Sequence, residues 1–229
     1  MQHSTPKREI DLVIFDCDGV LVDSEMLSAG VLMQMMREIG LPITAEIFRT
    51  DFLGRSFSSA SERVERRMGK TFPPGFNLQY RARLLARMKG NLHPMPGVRA
   101  LLEKTRVPYC MATSSSAPRL AVSMAETGLG AFFEDRMFTA EMVKHGKPAP
   151  DLMLHAASQM RARPQACLVI EDSEMGVRAA SAAGMQVWHF AGGSHVKAGY
   201  TLPADVLPHR VIDSMSALHE AFIEIGIAV

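Results

Sequence analysis

Short apolar runs recur along this chain, and nearly every one gives way abruptly to polar or small residues. This feature constrains the fold more than any other. The runs are Ile10-Asp-Leu-Val-Ile-Phe15, Pro108-Tyr-Cys-Met-Ala-Thr113, Met137-Phe-Thr139, Cys167-Leu-Val-Ile-Glu171 and Gln186-Val-Trp-His-Phe190. Runs this short, rich in β-branched and aromatic residues, read as buried strands. Helical patterns separate the later ones. They cover Val98–Thr105, Pro118–Thr127 up to Gly128, Asp151–Met160, Gly176–Ala183 up to Gly184, and a final Met215–Ile225. Strands alternating with helices imply a parallel sheet with helices on both faces. The expected fold class is α/β, with a doubly wound, Rossmann-like core.

The alternation breaks once, directly after the first strand. From Glu25 onward Leu27, Val31, Leu32, Met35 and Met36 fall at helical spacing, and Gly40-Leu-Pro42 stops the run. A second helix is expected over Ser58–Met68, a turn at Phe72-Pro-Pro-Gly75, and a third helix over Leu78–Lys89. Gly90-Asn-Leu-His-Pro-Met-Pro-Gly97 reads as a linker. The expected organisation is therefore an all-helical domain, residues 25–93, inserted into a core formed by residues 1–24 and 94–229. A length of 229 residues suits one or two domains of about 150 residues each.

Composition narrows the function classes. Apolar residues at 47% and charged residues at 21% argue against a disordered chain. The formal net charge is +1, with no basic stripe of the kind that binds nucleic acid. No apolar run approaches the ~20 residues of a membrane span. The opening Met-Gln-His-Ser-Thr-Pro-Lys-Arg-Glu-Ile lacks the apolar stretch of a signal peptide. Cys17, Cys110 and Cys167 lie in or beside strand-like runs and read as buried free thiols, as expected in a reducing cytoplasm. Residues 25–93 carry 11 Lys and Arg against 6 Asp and Glu, whereas the rest carries 14 against 18. That asymmetry is either a solvated basic surface or a mobile basic element meeting an anionic ligand over an acidic site. Nothing in the pattern fixes an oligomeric state.

In an open α/β sheet, ligands bind beyond the carboxyl ends of the strands. The first strand delivers Asp16 and Asp18 there, the second Thr113 and Ser114, and the Cys167–Glu171 strand delivers Glu171 and Asp172. Lys147 lies in the loop Lys144-His-Gly-Lys-Pro-Ala-Pro-Asp151. Carboxylates gathered on one rim repel unless a cation neutralises them, and an all-oxygen set suits a hard ion such as Mg²⁺. An Asp can serve as nucleophile, a second carboxyl can protonate a leaving oxygen, and Lys with Thr or Ser can hold phosphoryl oxygens. Thr113 and Ser114 could instead cap the helix beginning near Pro118. Ser173 reads as a helix N-cap, Asp23 as a turn or hinge residue, and the scattered His residues as structural or surface groups.

In order along the chain, Asp16-x-Asp18-Gly-Val, Thr113-Ser114, Gly-Lys147-Pro-Ala-Pro-Asp and Val169-Ile-Glu-Asp-Ser-Glu-Met-Gly176 resemble the four motifs of the haloacid dehalogenase superfamily. The helical insertion after the first motif resembles the cap of the branch containing β-phosphoglucomutase and phosphoglycolate phosphatase. The resemblance implies that Asp16 is a nucleophile forming an aspartyl phosphate. Asp18 would be the general acid and then base, lending its backbone carbonyl to Mg²⁺. Asp172 would complete the metal site, with Glu171 either ligating the ion directly or holding a ligand in place behind it. Thr113, the Ser114 backbone and Lys147 would hold the phosphate. Dehalogenases of the superfamily lack the second Asp, so Asp18 points away from haloacid chemistry.

The cap sets the substrate in such enzymes. Where β-phosphoglucomutases carry a cap His, this chain has Ser28, which favours hydrolysis over mutase chemistry. Arg55, in Leu53-Gly-Arg55-Ser56, either reaches a distal phosphate or serves the surface. A phosphonoacetaldehyde hydrolase would need a Schiff-base Lys early in the cap, and none lies between Glu25 and Arg49. The expectation is Mg²⁺-dependent hydrolysis of a small phosphorylated metabolite, with a sugar phosphate as one class. The alternatives are a phosphosugar mutase and, outside enzymes, a receiver-like phosphorylation domain. Asp18 and the helical insertion argue against the last.

Overall fold

The computed structural model describes residues 10–55 and 57–229. The opening stretch Met1–Glu9 and Ser56 lie outside the described residues, and with them the leaderless opening expected above. Six strands are described: β1 (Leu12–Phe15), β2 (Tyr109–Thr113), β3 (Met137–Thr139), β4 (Cys167–Glu171), β5 (Gln186–Phe190) and β6 (Arg210–Ile212). They form one parallel sheet in the order β3-β2-β1-β4-β5-β6. β1 lies at its centre. Val13 pairs with Tyr109 on one side, and Leu12 with Cys167 on the other.

Eleven α-helices are found among the described residues. Four follow β1: α1 (Glu25–Glu38), α2 (Ala45–Asp51), α3 (Phe57–Met68) and α4 (Phe76–Met88). The others are α5 (Val98–Lys104), α6 (Ala117–Thr127), α7 (Gly130–Phe133), α8 (Asp151–Gln159), α9 (Glu174–Ala182), α10 (Ser194–Lys197) and α11 (Met215–Glu224). Within residues 25–93 the sequence pattern predicts three helices, and the structure has a fourth, α2. Its N-cap is Thr44, whose hydroxyl accepts from Ile47 N at 3.2 Å. The helix is too short and too polar for its periodicity to register.

The alternation of side chains along a strand explains the two-sided core. Val13 and Phe15 point to one face, where Leu168, Ile170 and Trp188 join them against α11. Leu12 and Ile14 point to the other, beside Cys110, Val169 and Val187 and against α8 and α9. Cys17, Cys110 and Cys167 are all buried and free. Within α1–α4 an aromatic cluster fills the interior. The rings of Phe57 and Tyr80 lie 5.2 Å apart, and those of Phe72 and Phe76 4.9 Å apart. Asp51, buried at the end of α2, accepts from Arg63 at 3.2 Å and Arg67 at 3.0 Å.

The two chain segments joining α1–α4 to the sheet run side by side. Asp23 N donates to His93 O at 3.1 Å and Met95 N to Leu21 O at 2.8 Å. Among the described residues, no helix is long and apolar enough to cross a membrane.

Candidate active site

β1 ends at Phe15, and its register against β4 carries the next residue to the sheet's carboxyl edge. Asp16 N donates to Ile170 O at 3.0 Å, which fixes the Asp16 backbone beside the end of β4. A cavity of about 870 Å³ opens there. Asp16, Asp18, Thr113, Ser114, Lys147, Glu171 and Asp172 line it from the sheet side, and Arg55 from the loop before α3. All eight residues singled out from sequence thus face one space.

The floor is a buried ionic lattice. Lys147 Nζ donates to Asp16 Oδ1 and to Glu171 Oε1, each at 2.6 Å. Glu171 Oε2 accepts from Ser173 N at 2.7 Å and from Ser173 Oγ at 2.9 Å. Burial alone would push the Lys147 ammonium down, but the two carboxylates outweigh it and hold the amine charged. The Ser173 hydroxyl also accepts from Gly176 N at 3.2 Å, so it caps α9 while bracing Glu171.

Asp16, Glu171 and Asp172 each offer an oxygen within 4.8 Å of the others, and all three are buried. Burial, reinforced by neighbouring carboxylates, pushes the Asp16 and Asp172 carboxyls well above the carboxylate range. Such a set fits a hard divalent cation, which removes the repulsion and takes oxygen donors. The backbone supports this packing. Gly19 has φ +83°, where L side chains are strained, and a Cβ there would collide with the Asp172 carboxylate.

Asp18 has a different environment. Its Oδ1 accepts from Ser24 Oγ at 2.5 Å and Arg119 Nη2 at 2.7 Å, and its Oδ2 accepts from Ser115 Oγ at 2.5 Å. Burial pushes its carboxyl up, but the Arg119 guanidinium and the two hydroxyls together hold it below the usual value. Two carboxyls two residues apart are therefore driven in opposite directions, Asp16 toward its protonated form until a cation arrives and Asp18 toward its carboxylate.

Other placements refine the sequence reading. Ser116, not Thr113 or Ser114, stands at the N-cap of α6. Thr113 Oγ1 instead accepts from Ser115 N at 3.0 Å and shapes the turn after β2. Of the basic residues in 25–93, only Arg55 and Arg81 line the cavity, whereas Arg63, Arg66, Arg67 and Arg83 pair with acidic neighbours. Arg55 is half-buried with its Nε unpartnered. Ser28 Oγ lies 2.6 Å from Tyr80 Oη, tying α1 to α4. Asp23 Oδ1 accepts from Ser194 N at 3.2 Å and Ser194 Oγ at 2.7 Å, a structural contact beside the crossing segments. His195, read from sequence as a structural or surface group, is buried beside the site. Its Nε2 lies 3.0 Å from Asp172 Oδ2 without hydrogen-bond alignment, and burial keeps the imidazole below its ordinary value. Ser24, Glu25, Ser115 and Arg119 were not legible as site residues. Ser115 alone had a signal, the Ser run after Thr113.

The haloacid dehalogenase-like hydrolase family profile matches residues 10–184. The chain is 30% identical over 189 residues to the 6-phosphogluconate phosphatase of Escherichia coli, covering 82% of this chain and 86% of that protein. It is 28% identical over 174 residues to the fructose-1-phosphate phosphatase of the same organism, covering 76% and 92%. A haloacid dehalogenase-like protein of Agrobacterium tumefaciens superposes with a TM-score of 0.80 at 32% identity, over 94% of this chain and 99% of that one. Ordered motifs, sheet order and relatives that align over most of both lengths converge, and the chain belongs to the haloacid dehalogenase-like hydrolase family.

Proposed function

We propose that the protein hydrolyses small phosphate monoesters, sugar phosphates among them, through an aspartyl phosphate on Asp16. The observation that carries this reading is the buried Lys147 held between Asp16 and Glu171 beside Asp172. That floor presents a nucleophile, a cation for phosphoryl oxygens and a set of oxygen donors in one place. The names of the relatives, which are phosphatases of phosphorylated sugars and sugar acids, support the substrate class.

Mg²⁺, held by Asp16, Asp172 and the Asp18 backbone carbonyl, would neutralise charge on the phosphoryl oxygens. An Asp16 carboxylate oxygen attacks phosphorus, and the ester P–O bond breaks. The anionic phosphate bound beside Asp18 opposes its ionised form, so in the complex Asp18 takes up a proton, which it gives to the departing alkoxide. A water then attacks the aspartyl phosphate as the Asp18 carboxylate takes its proton, and the P–O bond to Asp16 breaks. Lys147, Thr113 and the Ser114 backbone hold the phosphoryl group through both steps. Both Glu171 oxygens already have partners, so its role is to orient Lys147 beside the ion. Helices α1–α4 act as a cap over the cavity, with Arg55 and Arg81 toward the substrate. Ser28, bonded to Tyr80, offers no imidazole to relay protons on a sugar, which favours hydrolysis over mutase chemistry.

The test is release of inorganic phosphate from a panel of sugar and other alkyl phosphates, with Mg²⁺ and with EDTA. Metal-dependent release is expected. Asp16→Asn should abolish it while the fold persists, and Asp18→Asn should slow it by about 10²-fold or more. Full activity in Asp16→Asn, or no release from any ester, would overturn the assignment.

A further inference from the structure

We propose that Arg119 is a positioning residue that fixes the Asp18 carboxylate and ties it, through Glu25, to the first turn of α1. The inference rests on the reading of Asp18 as the proton donor and acceptor of ester hydrolysis. Arg119 lies in the first turn of α6, and its side chain is 18% exposed. Nη2 donates to Asp18 Oδ1 at 2.7 Å and to Ser24 Oγ at 3.1 Å, and lies 3.6 Å from Glu25 Oε1. One nitrogen therefore faces three oxygens, one at the end of β1 and two at the start of α1. Ser115 holds the second Asp18 oxygen, so the carboxylate has no free rotation.

Placement matters because proton transfer falls steeply with misalignment; a shift of about 1 Å can slow a reaction by about 10²-fold. A planar guanidinium keeps its donors in a fixed fork, which a Lys ammonium on a flexible stem does not. Arg119 also lines the cavity, so direct binding of a substrate anion is the competing role. The charges argue against it. Asp18 at 2.7 Å and Glu25 at 3.6 Å already face this one cation, so its charge is committed within the protein. Arg55 and Arg119 each leave Nε unpartnered, but of the two only Arg119 has ion pairs with carboxylates among the described residues, so Arg55 is the better candidate for an anionic substituent.

A residue that positions a proton donor has a signature that a binding or structural residue lacks. An alkoxide needs a proton to leave, whereas p-nitrophenolate leaves without one. The experiment compares kcat/KM on the best alkyl phosphate of the panel and on p-nitrophenyl phosphate, with thermal melting as the fold check. Arg119→Gln is expected to lose about 10²-fold on the alkyl ester and less than about tenfold on the aryl ester. Glu25→Gln should show the same selectivity at smaller size, and Arg119→Lys should recover part of the loss. Equal losses on both esters, or a rise in KM alone, would overturn the role. If Arg119→Gln does not fold, Glu25→Gln and Arg119→Lys decide, and wild-type ratios in both would overturn it. Failure of the wild type to release phosphate from either ester would instead sink the phosphatase reading, and the inference with it.

Discussion

Asp16 and Asp172 lie in a buried site that favours their protonated forms until a cation arrives. Their folded values stand above the unfolded carboxyl value of about 3.9. Such groups add stability that is fully present below the unfolded value and is lost as pH rises through the folded one. Mg²⁺ competes with those protons, so its stabilisation should grow with pH. The expected result is a larger Mg²⁺-induced rise in Tm near pH 8 than near pH 5; an equal rise at both would contradict the placement of the ion. At this scale the sequence was informative wherever a residue follows a strand. Asp16, Thr113 and Asp172 stand within one residue of a strand end, and strand ends can be read from apolar runs. Arg119 was not legible for the opposite reason. Its contacts depend on which way the first turn of α6 faces, and that is set by packing rather than by local pattern.

Helices and strands show the same division. The expected strands Met137–Thr139, Cys167–Glu171 and Gln186–Phe190 coincide with β3, β4 and β5, because a fully buried parallel strand is a continuous apolar run. β6, α7 and α10 leave no legible pattern in the sequence. Each has three or four residues, too few to show a period, and β6 exposes Val211 at the sheet edge. The long amphipathic α11 was legible. Its Leu218 and Phe222 are fully buried, with Phe222 packed near Phe15 and Trp188 at ring separations of 6.4 Å and 6.0 Å. Phe222→Ala should therefore destabilise the fold by about 3–5 kcal/mol, read as a lower urea midpoint at unchanged slope. A shift under about 1 kcal/mol would mean that the core there relaxes into the gap.

For the molecule as a whole, the insertion of α1–α4 leaves the sheet uninterrupted, because its entry and exit are hydrogen-bonded neighbours. The two-sided core was legible from strand alternation, whereas the strand order was not, since nothing in an apolar run names its partner. That order bears on how the chain reaches its native state. Central β1 is made first, yet it pairs only with β2, beyond the whole insertion, and with β4, further still. β4 and β5, by contrast, are joined by α9 alone, and Leu168 finds Gln186 after a short loop closure. Non-local pairings form slowly because closure entropy must be met before any contact forms. The folding nucleus should then lie in β4-α9-β5, with β1 docking late. Val187→Ala is expected mainly to slow refolding, and Ile14→Val mainly to speed unfolding. The reverse pattern in stopped-flow refolding would place the nucleus on β1. With this order of events the catalytic rim is the last part of the sheet to close. A newly made chain holds Asp16 and Asp18 at the end of an apolar strand whose second edge stays unpaired until residue 171 has been synthesised, which makes this strand the stretch most in need of protection from aggregation.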